Sequence, residues 1–86
     1  MKVLFPAESL SLLERVDFSA AKSVKLTYGE PMASIEYDDE DSLEIKLSMA
    51  ETISLIGVDD NGRVNKFGLA LEYIYDEIIL AEKERK

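Results

Sequence analysis

The chain has 86 residues, 47% of them apolar, and 18 acids against 10 bases give it a net charge of −8 with no cysteine and no histidine. That length makes one domain with no room for a second, and the apolar fraction is that of a globular protein. Without thiols or imidazoles there are no disulfides, no sulfur-ligated zinc and no usual general base, so most hydrolase and metalloenzyme mechanisms fall away.

The N-terminus opens with Lys2–Phe5, read as a short strand that Pro6 ends because it lacks a donor for the ladder. Pro6 suits the first turn of a helix running from Glu8 to Arg15, with Leu10, Leu13 and Val16 on one side at three-residue spacing. Asp17 and Ser19 read as stop or cap residues.

Alternation dominates the middle. Val24, Leu26 and Tyr28 share one side of Ser23–Tyr28, and Ala33, Ile35 and Tyr37 share one side of Ala33–Tyr37. Gly29-Glu30-Pro31 is the turn between them. After the polar reversal Asp38–Asp41, Leu43, Ile45 and Leu47 alternate with Glu44, Lys46 and Ser48. Period two with one apolar face predicts an antiparallel meander covered on one side. Thr52–Val58 is apolar on both faces and reads as a central strand, or as a strand with a bulge at Gly57.

Asn61-Gly62 is a turn dipeptide, and the last helix is expected from Asn65 to Glu82 or beyond. Asn65 caps it, while Lys83, Arg85 and Lys86 favour the negative end of its dipole. Phe67, Leu71, Ile74 and Ile78 form the stripe that belongs on a sheet. A second cluster, Leu69, Tyr73 and Leu80, lies on another side, which makes the helix too apolar for burial of one face alone. The sum is an α+β domain: a mostly antiparallel sheet of three or four strands, a C-terminal helix across one face and a short N-terminal helix or strand.

Charge is unevenly placed. Residues 1–30 hold four acids and four bases, and residues 63–86 hold five of each. The window from 31 to 62 holds nine acids and only Lys46 as a base, so it carries the whole of the −8. Such a window makes a local field that draws a cationic partner and repels nucleic acid and anionic membranes.

Carboxylates are the only chemistry in supply. Asp59-Asp60-Asn61-Gly62 has the look of a calcium loop, but aligning its glycine puts Gly57 and Gly68 where a calcium loop needs acids. The adjacent acids of 38–41 lack the separation across a cleft that glycosidic acid–base work requires. No nucleophile elbow or phosphate-cradling glycine loop is present. No catalytic residue, metal or cofactor is therefore expected.

Two functional readings follow. The first is an inhibitor or immunity-type module, of the kind found among phage anti-defence proteins and nucleic-acid mimics. It would block a basic protein through Glu36, Asp38, Asp39, Glu40, Asp41 and Glu44. The second is a homodimeric structural or adaptor domain that pairs through Leu69, Tyr73 and Leu80, its acids serving as solvation. No apolar run approaches the roughly 18 residues of a membrane span, and a soluble cytoplasmic protein is expected.

Overall fold

The computed structural model describes residues 1–84. Strand β1 (Lys2–Pro6) leads through a 3-10 turn (Ala7–Ser9) into the short helix α1 (Leu10–Leu13). Strands β2 (Lys25–Thr27) and β3 (Met32–Glu36) follow, then a 3-10 turn (Asp39–Asp41), helix α2 (Ser42–Ile56) and helix α3 (Lys66–Glu84). The sheet order is β1-β3-β2 with both pairings antiparallel, so β1 and β2 run parallel with β3 between them. This is the split βαβ arrangement, and α1 with the loop after it makes the crossover.

One face of the sheet is covered. Val3 and Phe5 of β1, Ala33 and Ile35 of β3, and Tyr37 just beyond are buried against Ile45 and Met49 of α2 and Leu71, Ile74 and Ile78 of α3. Leu13 and Val16 close the core from the α1 end, where the Arg15 guanidinium lies 4.6 Å from the Phe67 ring centre. The opposite face carries Lys2, Leu4, Lys25 and Thr27, all exposed. The α+β architecture, the hairpin around Gly29-Glu30-Pro31 and the helix laid on the sheet by Leu71, Ile74 and Ile78 thus agree with expectation.

Two segments depart from it. Leu43–Ser48 and most of Thr52–Val58, both expected as strands, form the single helix α2. Ile45, Met49 and Ile53 recur every four residues, and the first two are fully buried, while Leu43 and Leu47 face solvent. Leu43, Ile45 and Leu47 alternate in the chain as a strand's apolar residues would, but at about 100° per residue a helix sets Ile45 on the side opposite Leu43 and Leu47. From Ser42 to Ile56 no glycine or proline interrupts, and Leu, Glu, Lys, Met and Ala favour helix.

Gly57 ends α2, and the residues after it fold onto Asn65. Asn65 is the joint between the two long helices. Its Oδ1 accepts from Gly68 N (2.8 Å) as the cap of α3, and its Nδ2 donates to Ile56 O (3.1 Å) at the end of α2. The end of α2 meets the start of α3 at two glycines: a Cβ built on Gly68 would sit 2.2 Å from Gly57 O. Arg85 and Lys86, expected at the C-terminal end of the dipole, lie outside the described residues.

Candidate functional site

The acidic run is not a hairpin tip. Asp39–Asp41 is a 3-10 turn that feeds directly into α2, which places Asp39, Glu40, Asp41 and Glu44 at a helix start. Carboxylates there lie at the positive end of the helix dipole, which gives the run a structural reason as well as a field.

The turn is fixed at both ends. Tyr37, before it, donates from Oη to Glu82 Oε2 (2.6 Å), and Ser42, after it, donates from Oγ to the same oxygen (2.6 Å). Lys46 Nζ completes the cluster on Glu82 Oε1 at 2.7 Å. Burial pushes the Glu82 carboxyl up, but the bonds from Lys46, Ser42 and Tyr37 outweigh it and hold its pKa below the usual carboxylate value. Within the turn, Asp41 points inward. Its carboxylate accepts from the Ser23 hydroxyl and from the amides of Lys22 (3.2 Å) and Ser23 (3.0 Å). The Ser23 bond is the main cause of its lowered pKa.

The six acids expected at the partner surface therefore separate. Asp38, Asp39 and Glu40 lie exposed at the start of α2, Asp38 beside Lys2, Lys25 and Glu36, while Glu44 is half-buried one turn on, beside Asp17 and Leu47. Asp41 is buried and anchors the turn instead of presenting a charge. Glu36 lies on the uncovered sheet face, where Lys2 and Lys25 are its cross-strand neighbours and Lys2 Nζ is 4.0 Å from its Oε1. It therefore sits on the face of the sheet opposite α2.

The start of α2 also carries apolar surface that the sequence reading places in the core. Leu43 and Leu47, assigned to the buried side of a strand, are 63% and 53% exposed on α2. The signal available was the spacing of Ile45, Met49 and Ile53, which turns Leu43 and Leu47 outward once the segment is read as a helix. Beside Leu47 runs a groove of about 280 Å3 between α2 and the 17–20 loop, with Asp17, Glu44 and Glu51 among its lining residues. The Asp17 carboxylate accepts from Ser19 N (2.9 Å), which holds that loop in shape.

Elsewhere, Asp59 Oδ1 accepts from the amides of Asn61 (2.9 Å) and Arg63 (3.0 Å), so Asp59-Asp60-Asn61-Gly62 is a side-chain-closed turn. Among the described residues no group of three or more acids is placed to hold a metal ion, and no helix is long and apolar enough to cross a membrane. Leu69, Tyr73 and Leu80 are exposed on α3, on the side turned away from the buried Leu71, Ile74 and Ile78. No protein-family model, curated protein or solved structure matches the chain.

Proposed function

We propose that this chain is a small binding module, not a catalyst, whose partner is a basic protein and whose contact surface is the start of α2. One observation carries the reading. Exposed Leu43 and Leu47 follow the exposed acids Asp38, Asp39 and Glu40 in the first turns of α2, with Glu44 beside Leu47, on a backbone pinned through Tyr37, Asp41 and Ser42. Apolar anchors rimmed by charge are the usual make-up of an energetic contact. The anchored backbone means that little ordering remains to be done on binding.

The complementary partner surface is a basic groove with an apolar floor. Inhibitors and immunity-type proteins that occupy the phosphate-binding groove of a nuclease, or of another nucleic-acid enzyme, have this requirement. A rigid row of carboxylates in place of phosphates is the mimicry the reading implies. Long-range attraction then sets the association rate more than the final affinity. Asp38→Lys with Asp39→Lys should slow association with such a partner and flatten its salt dependence, measured by stopped-flow mixing. Rates that ignore both the reversal and the salt would remove the charge mechanism.

A further inference from the structure

Helices α2 and α3 lie side by side, and contacts at two places fix how they meet. Gly57 packs on Gly68 where α2 ends and α3 begins, and at the other end Lys46 Nζ bonds Glu82 Oε1 at 2.7 Å. Between these contacts runs a groove of about 310 Å3, lined by Ala50 and Ile53 of α2 and by Glu72, Tyr75 and Asp76 of α3. Lys46 and Gly57 stand eleven residues apart, so the groove is about 16 Å long.

Its floor is apolar and its rim is acidic. Ile53 and Tyr75 are half-buried, and Ala50 is exposed beside them. Glu72 and Asp76 are four residues apart on one side of α3, so their carboxylates repel each other across a single turn. Among the described residues neither takes part in an ion pair. Lys46, the only base of α2, is held by Glu82, and Lys83 lies about two turns beyond Asp76, outside the groove. Over residues 66–84, α3 carries five acids against two bases.

Backbone chemistry and charge select the occupant. An extended peptide finds no partner for its N–H and C=O groups here, because those of both walls are spent within their own helices. A helix satisfies its own backbone and can lay an apolar stripe between two others. The carboxylates at the rim favour basic residues beside that stripe. They disfavour an acidic chain, a second copy of this one included.

We propose that the groove between α2 and α3 receives a basic amphipathic helix of a partner protein, about three turns long. Its apolar side chains lie on Ala50, Ile53 and Tyr75, and its arginines or lysines meet Glu72 and Asp76. Ala50 is nine residues beyond Asp41, about 13 Å along α2, so this site stands or falls separately from the acidic start of the helix.

The probe is a synthetic helix of about 14 residues with leucines and one tryptophan on a single stripe and arginines beside it. The chain has no tryptophan, so the peptide reports binding by its own fluorescence. A peptide of the same composition in scrambled order is the control. Titrated into the full chain, the helix should move the amide resonances of Ala50, Ile53, Glu72, Tyr75 and Asp76 and bind roughly tenfold or more tighter than the scrambled peptide. Glu72→Lys with Asp76→Lys should weaken it by roughly tenfold or more. Asp38→Lys with Glu40→Lys, equal in charge change, should weaken it by less than about threefold. Ala50→Arg sets a large cation on the floor from an exposed helix position and should also weaken binding by roughly tenfold. Equal binding of the scrambled peptide, resonance changes confined to the start of α2, or an affinity that ignores both Glu72→Lys/Asp76→Lys and Ala50→Arg overturns the proposal. So does movement of the groove resonances when the chain alone is concentrated, which would place a second copy there.

Discussion

Tyr37 Oη and Ser42 Oγ each lie 2.6 Å from one oxygen of Glu82, so a single carboxylate on the last turns of α3 holds both ends of the acidic turn. The exposed acids between those ends are fixed by a residue that lies 45 positions from Tyr37 in the chain. The acidic turn is thereby held by the core and is not a loose loop.

Removing that carboxylate should loosen the surface and the fold together. Glu82→Ala leaves the Lys46 ammonium and two hydroxyls without their acceptor, at a cost of about 1–3 kcal/mol in urea denaturation. Amide exchange at Asp38, Asp39 and Glu40 should accelerate beyond the global change. Equal exchange in variant and wild type would mean that Glu82 does not hold the turn.

The same cluster sets a pH dependence. Glu82 has its pKa depressed in the folded chain, so its contribution is complete above the unfolded carboxylate value of about 4.3 and is lost as pH falls through the folded one. Acid also relieves repulsion among the exposed carboxylates, which acts in the opposite direction. The informative quantity is therefore the gap between wild type and Glu82→Gln in urea midpoint. That gap should hold constant from about pH 7 to about pH 5 and close below it. A gap unchanged down to about pH 2 would show that the carboxylate is not held ionised by its neighbours.

Asn65 does two jobs that substitution can separate. Asn65→Ala removes both the cap on Gly68 N and the bond to Ile56 O, and should cost about 1–2 kcal/mol. Asn65→Asp retains the cap and loses only the bond to Ile56, so it should fall between alanine and wild type. If both variants lose the same stability, the cap contributes nothing.

Gly68→Ala tests the packing of α2 on α3. The added Cβ meets Gly57 O at 2.2 Å, a backbone atom that cannot rotate aside. Overpacking of this kind costs about 1–3 kcal/mol, read as a lowered urea midpoint with an unchanged slope. A neutral substitution would mean that the two helices are free to separate.

Much of this architecture was legible in residues with strong local signals. Pro6 ended a strand, Gly29-Glu30-Pro31 turned a hairpin, and Asn65 began a helix whose Leu71, Ile74 and Ile78 found the sheet. Helix α2 was hidden because Leu43, Ile45 and Leu47 satisfy a period of two over five residues, and only the longer spacing to Met49 and Ile53 breaks the tie. That one misreading carried the site with it. It turned a helix start into a hairpin tip and buried Leu43 and Leu47, which the structure exposes. The inward turn of Asp41 depends on Lys22 and Ser23, some 18 residues earlier, and no local pattern encodes such a contact.

If the acids at the start of α2 bind by their position and not by their number, charge reversal there abolishes binding and the same reversal elsewhere does not. The most direct measurement is affinity capture from native lysate with three baits compared at low and high salt. These are the wild type, Asp38→Lys/Glu40→Lys at the site, and Glu14→Lys/Asp60→Lys at exposed positions elsewhere, the last two matched in net charge. A basic protein should be retained by the wild type and by the distant variant, released by salt and lost with the site variant. Retention by all three baits, or equal loss from both variants, would contradict it.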